Sequence, residues 1–259
     1  MTMQALIVEV GNSVTDFAVF EDETVLAAYT VPTDILAVGK AGYEQIERIL
    51  HDHPSVSHSA VCSVVPAVGD HFLDILDNNL SGGALEVNSS LKLPFRLDYS
   101  PSSALGADRL ALCAFCSSYW PDEAVIALDI GTAITFDVLG SDRGYLGGMI
   151  LPGLDLMSAV LHDRTAKLPH IQIKEPTPLL GRSTADCIQS GVFWGCVKEI
   201  EGLLSEIRCF LSENSGEPGI RVIATGGSSR LVASVLAEPL MIDEQAVLKG
   251  AKVLLDLNI

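Results

Sequence analysis

Leu6-Ile7-Val8-Glu9-Val10-Gly11-Asn12-Ser13-Val14-Thr15-Asp16-Phe17-Ala18-Val19 stands near the start of the chain. Its plan recurs 120 residues later as Ile126-Ala127-Leu128-Asp129-Ile130-Gly131-Thr132-Ala133-Ile134-Thr135-Phe136-Asp137-Val138-Leu139. Each copy reads as apolar strand, carboxylate, apolar residue, Gly, small polar residues, second strand. β-Branched apolar runs favour strands, and a Gly with short polar neighbours favours a tight turn between them. The turn places backbone N–H groups, hydroxyls and one negative charge together, a combination that suits a phosphate chain with its metal ion. Two copies point to a duplicated domain with a nucleotide between the halves.

The 259 residues allow one large domain or two of about 130. A net charge of −17 argues against nucleic acid and against an anionic membrane surface, because both reward Lys and Arg. It leaves room for a small anionic ligand, since backbone donors and bound cations act locally. Met1-Thr2-Met3-Gln4 lacks a basic leader region, and the apolar run after it is cut by Glu9 and Asn12. No stretch reaches the roughly 18 apolar residues of a membrane span. A cytoplasmic protein is expected. The six cysteines (62, 113, 116, 187, 196 and 209) lie mostly in apolar segments and read as buried free thiols. Cys113 and Cys116 form a C-x-x-C without a second pair, in a helical stretch. The six histidines show no zinc spacing. The absence of G-x-x-x-x-G-K-[ST] excludes a P-loop.

The first half predicts strands at 5–10, 14–20 and 24–31, a helix at 41–52 and a strand at 59–64. A helix at 68–80, a strand at 84–87 and a helix at 104–119 follow. Three antiparallel strands and then alternating helices and strands match a ribonuclease-H-like layout. The second half repeats the opening with strands at 124–129, 133–139 and 143–150. A helix after Pro152-Gly153, a long helix at 184–212, a polar loop at 212–219 and a strand at 220–224 come next. A helix, a strand at 240–242 and a helix from near Asp243 finish the chain. The fold class is therefore α/β, two duplicated ribonuclease-H-like domains with mixed sheets. Pro121 breaks a helix before a new strand, so the domains are expected at 1–120 and 121–259.

Four segments could carry chemistry. In Glu9-x-Gly11-Asn12-Ser13, Gly11 lets a phosphate approach while Asn12 and Ser13 donate hydrogen bonds; an ordinary hairpin turn has the same residues. Asp129, in a strongly apolar strand, needs a partner, and a cation is one. In Gly106-Ala107-Asp108-Arg109, Asp108 at a helix start could accept a hydroxyl proton, and Arg109 could hold a carboxylate as a planar fork; a surface cap is the alternative. Thr225-Gly226-Gly227-Ser228, between a strand and a helix, could present donors to phosphate or ribose. Gly147-Gly148 marks a close backbone approach or a bulge. Gly191, Gly195 and Gly202 in the long helix allow close packing, against another subunit among the options.

In order and spacing these segments resemble the type III pantothenate kinases of the acetate and sugar kinase/Hsp70/actin superfamily. Ser63-Val64-Val65-Pro66, Tyr145-Leu146-Gly147-Gly148-Met149-Ile150-Leu151-Pro152-Gly153, Gly181-Arg182-Ser183-Thr184 and Ile188-Gln189-Ser190-Gly191 extend the match to nearly the whole chain. The resemblance implies an actin-like ATPase fold and phosphorylation of pantothenate by ATP, the first step towards coenzyme A. Asp108 would be the general base. Tyr99, Gly106, Ala107, Arg109 and Thr184 would surround pantothenate, with Thr184 contributed by the second copy of a homodimer. Glu9, Val10, Gly11, Asn12, Ser13, Val14, Thr15, Asp16 and Thr132 would hold ATP. Asp129 would bind a monovalent cation, K+ or NH4+, used alongside Mg2+. The chain departs from the family pattern at Glu9, where the family has Asp, and at Asp16, where it often has Lys. Ser100-Pro101-Ser102 replaces an Asn-Pro-like segment. The family also includes chains described as transcriptional accessory factors, so a regulatory protein with weak or lost catalysis is the alternative.

Overall fold

Residues 5–8 are apolar without a break, and such a run is stable only when both faces of the strand are covered. In the computed structural model they are fully buried at the centre of a five-stranded sheet. The structure describes residues 3–37, 40–175, 179–215 and 219–259. The chain divides into two compact units. One comprises Met1–Pro121, Arg143–Tyr145 and Gln245–Ile259; the other comprises Asp122–Asp142 and Leu146–Glu244.

In the first unit β1 (Gln4–Val10), β2 (Val14–Glu21) and β3 (Thr24–Pro32) form an antiparallel meander. β4 (Val56–Ser63) adds parallel to β1, and β5 (Ala84–Glu86) adds parallel to β4, giving the order β3-β2-β1-β4-β5. Exposure alternates along β3, as expected for an edge strand with one dry face. The short α1 (Thr33–Leu36) follows β3. α2 (Ala41–Asp52) and α3 (Pro66–Asn79) are the crossovers, and they bury Ile46, Ile49, Phe72 and Leu76 against Leu6, Val8 and Phe17. Pro66 occupies the first turn of α3, where its missing N–H costs nothing. β4 begins three residues before the expected start, because polar Ser57-His58-Ser59 hides an extended segment that pairs with β1.

α4 (Ala107–Tyr119) begins after a 3-10 turn at Ser102–Ala104, so the expected start at 104 falls in that turn. Cys113 and Cys116 are buried in α4 as free thiols. The C-terminal helix, expected with the second half, is grouped with the first unit instead. This helix, α8 (Ala246–Asn258), packs on α4 so closely that a Cβ at Gly250 would lie 1.8 Å from the Ala111 carbonyl oxygen.

The second unit repeats the scheme. β6 (Ala124–Ile130), β7 (Ala133–Leu139) and β8 (Tyr145–Pro152) are followed by β9 (Ile220–Thr225) and β10 (Met241–Ile242), in the order β10-β9-β6-β7-β8. Numbered within each unit, this is the strand order of the first sheet. α5 (Leu154–Asp163), α6 (Thr184–Ser215) and α7 (Ser229–Ala233) complete it. Phe136, Phe193, Val197 and Leu211 lie in its core. α6 runs three residues past the expected end, and residues 216–218 of the expected loop lie outside the described residues. Cys187 and Cys209 are exposed on α6, so the expectation of burial holds for the other four cysteines only. Gly147 has open space around it and φ of +131°, so backbone conformation rather than close approach calls for Gly. No described helix is long and apolar enough to cross a membrane.

Candidate active site

The β1–β2 turn is pinned by its own backbone and by the start of α1. Gly11 N–H donates to Val14 O at 2.9 Å, and Thr33 N–H donates to Ser13 O at 3.0 Å. Thr33 Oγ1 donates to Gly11 O at 2.8 Å, and it shares a hydrogen bond with Thr15 Oγ1 at 3.0 Å. Thr15 is fully buried, so its side chain fastens the turn, and Val10 is buried as well. Asn12, Ser13 and Val14 are the exposed members. Thr33 was not singled out in the sequence; a hydroxyl residue at the end of an edge strand was its only signal.

Glu9 and Asp16 are direct cross-strand partners and project from the same face of the sheet. Asp16 accepts a hydrogen bond from Thr30, its partner on β3. Burial holds the Asp16 carboxyl above its ordinary value, with the Thr30 bond opposing. Glu9 is also paired with Cys62 on β4. Burial pushes the Cys62 thiol well up, and the charges of Glu9 and Asp108 add to the rise. The thiol is therefore neutral and a poor nucleophile. Like charges directly opposite one another are unfavourable, and a cation between them relieves the cost. Among the described residues no group of three or more His, Cys, Asp or Glu is arranged to hold a metal. The facing carboxylates of Glu9 and Asp16 are oxygen donors of the kind that Mg2+ accepts.

Asp108 and Arg109 open α4, with Gly106 at the N-cap. The Arg109 N–H donates to Asp108 Oδ1 at 2.7 Å. A Cβ at Gly106 would lie 2.5 Å from that oxygen, so Gly106 makes room for the carboxylate. Burial raises the Asp108 pKa above its ordinary 3.8; the backbone bond and the guanidinium of Arg109 pull the other way and do not cancel it. A carboxylate of raised basicity is a better proton acceptor near neutral pH. Arg109 is buried, and its Nη2 donates to the Tyr145 hydroxyl at 2.9 Å. The Tyr145 ring meets Tyr99 edge-on, with centroids 6.0 Å apart. Ala107 is buried beside them in sequence, and Tyr99 is half-buried. The structure thus brings Tyr99, Asp108 and Arg109 into one neighbourhood and adds Tyr145.

In the second unit Asp129 lies between Thr135 on β7 and Thr225 on β9. Thr135 Oγ1 is buried and has no hydrogen-bond partner among the described residues. An acid next to an orphaned hydroxyl oxygen is a donor set that fits K+ or NH4+. The Gly226 turn closes on this acid. Gly226 has φ of +90°, and a Cβ there would lie 2.2 Å from Asp129 Oδ1. Ser228 N–H donates to Ile130 O at 2.9 Å. Thr132 is exposed at the tip of the β6–β7 turn, where its carbonyl accepts the Gly153 N–H at 2.9 Å. Thr184 is exposed as the first residue of α6.

The model of the family "Type III pantothenate kinase" matches residues 5–206. A relative from Chlorobium luteolum named type III pantothenate kinase is 48% identical over 253 residues, covering 98% of this chain and 94% of its own. Among solved structures, a Campylobacter jejuni protein assigned to the Baf family of transcriptional activators superposes with a TM-score of 0.58 at 20% identity. It covers 97% of both chains. A Sinorhizobium meliloti protein assigned as a 2-dehydro-3-deoxygalactonokinase superposes with a TM-score of 0.59 at 12% identity, over 96% of this chain and 97% of its own. At those identities the two structures speak for the actin-like sugar-kinase fold alone. The family match and the full-length relative, joined to the paired Gly turns and the Asp108–Arg109 helix start, show that the chain belongs to the type III pantothenate kinase family.

Proposed function

We propose that this chain transfers the γ-phosphoryl group of ATP to the primary hydroxyl of pantothenate, giving 4′-phosphopantothenate. The observation that carries the reading is the start of α4, where a carboxylate of raised basicity adjoins a buried guanidinium. Asp108 accepts the hydroxyl proton as the oxygen attacks phosphorus, and Arg109 holds the substrate carboxylate through its planar fork. Tyr99, Gly106 and Ala107 line the substrate, with Thr184 from a second copy. Phosphoryl transfer asks mainly for positioning and charge neutralisation. The exposed Asn12, Ser13 and Thr132 offer hydrogen-bond donors to phosphate oxygens. Glu9 with Asp16 would hold Mg2+, and Asp129 with Thr135 would hold K+ or NH4+; when bound, these ions offset the charge of the phosphates.

A homodimer belongs to this reading. Gly191, Gly195 and Gly202 are exposed along α6, and among the described residues nothing beyond the helix's own neighbouring turns lies within 4 Å of a Cβ built on any of them. Leu146, Met149, Ile150, Leu156 and Val160 leave an apolar surface on β8 and α5. Sedimentation at micromolar concentration should give the mass of two chains; a single-chain mass would remove the dimer.

The primary test is ADP release by the purified protein in Mg-ATP and K+, with and without pantothenate. Pantothenate-dependent ADP formation is the expected outcome, with a lower rate when Na+ replaces K+. ADP formation indifferent to pantothenate, or none at all, would overturn the assignment. A Glu9→Asp variant run alongside isolates the effect of the longer acid.

A further inference from the structure

Arg109 is only 6% exposed and Tyr145 only 3% exposed. A buried guanidinium needs acceptors in fixed places, because each unmet N–H keeps a desolvation cost. The Tyr145 hydroxyl oxygen is one such acceptor, 2.9 Å from Arg109 Nη2. Being a neutral phenol, it orients the fork without adding negative charge of its own.

Tyr145 is itself held from two sides. Its N–H donates to Arg96 O at 2.9 Å, and Arg96 N–H donates to Arg143 O at 2.8 Å, so residues 143–145 are laced to the segment leading into α4. Its ring abuts Tyr99 edge-on. One side chain therefore touches two members of the substrate set that lie ten residues apart, Tyr99 and Arg109.

We propose that Tyr145 is a positioning residue for substrate recognition, setting the plane of the Arg109 guanidinium so that it meets the substrate carboxylate squarely. The role rests on the pantothenate kinase reading and acts through Arg109, with no contact to the reacting atoms.

The test is steady-state kinetics of the full chain and of Tyr145→Phe, with two substrates. One is pantothenate. The other is its alcohol analogue, in which CH2OH replaces the carboxylate. The Phe variant keeps the ring against Tyr99 and loses the hydroxyl that accepts from Arg109. We expect its preference for pantothenate over the alcohol, measured as kcat/KM, to fall roughly tenfold. The loss should sit mostly in KM for pantothenate, with KM for ATP unmoved. In an Arg109→Lys background the same change should add less than twofold, because the fork it orients is gone. An unchanged preference, equal slowing of both substrates, or full additivity with Arg109→Lys would overturn the positioning role. A wild-type chain that consumes no ATP with either substrate would instead overturn the kinase reading, and the role of Tyr145 with it.

Discussion

Asp108 shows how one residue can be tuned for chemistry at the expense of stability. Its raised pKa means that the folded chain binds a proton more tightly than the unfolded chain. Stability from this group is full below the ordinary value of 3.8 and is lost as pH rises through the raised folded value. At neutral pH the buried charge is therefore a net burden. Asp108→Asn should abolish turnover by at least about 100-fold, the lower end of what a general base contributes. It should leave Tm equal to or above wild type at neutral pH, with the gain fading towards acid pH. A Tm well below wild type at neutral pH would show that Asp108 supports the fold instead. Asp108 and Arg109 were legible as a pair because a charged dipeptide after Gly-Ala marks a helix start. Tyr145 was legible as part of the strand expected at 143–150 and as the start of a segment shared with the family, but not as a partner of Arg109, which lies 36 residues away and is joined to it by the fold.

At the level of elements, the two Gly turns look interchangeable as strings but differ as hairpins. The second turn is one residue shorter: Glu9 faces Asp16, whereas Asp129 faces Thr135. Reading the copies in parallel equates Thr15 with Thr135, yet Thr15 is turned inward to Thr33 while Thr135 shares a face with the acid. Strand existence and order followed from apolar periodicity; pairing across the turn did not, since a one-residue slip moves every side chain to the other face. The Thr225-Gly226-Gly227 turn separates two glycines with opposite tolerances. Gly226→Ala combines positive φ with overlap on Asp129 and Ile130, and should cost about 2–4 kcal/mol in urea unfolding. It should also blunt activation by K+. Gly227 faces open space, and Gly227→Ala should change stability by less than about 1 kcal/mol. Equal effects at the two positions would mean that the turn does not brace the acid.

At the scale of the whole molecule, the chain divides at Pro121, where its sequence punctuates it, but not into two uninterrupted halves. Pro121 suggests a cut into halves, but Gln245–Ile259 is grouped with the first unit. The reason is invisible in sequence, where a Gly inside a helical run reads as a weak point. Gly250 is instead the place where α8 meets the backbone of α4. α8 buries Val247, Leu248, Leu254 and Leu255 along with Ala246 and Ala251. Removing even one large buried aliphatic side chain costs about 2–5 kcal/mol, and a domain has only about 5–15 kcal/mol in hand. A chain ending at Glu244 should therefore lose the folded first unit, and with it the helix start that carries Asp108 and Arg109. Limited proteolysis should digest residues 1–121 of the truncated chain well before residues 122–244, and pantothenate-dependent ADP formation should vanish. A synthetic peptide of residues 245–259 added at high concentration should slow that digestion, because it restores the surface against which α4 packs. Proteolysis of the truncated chain at the wild-type rate would show that α4 is held without α8, and that a separable first half is the better description.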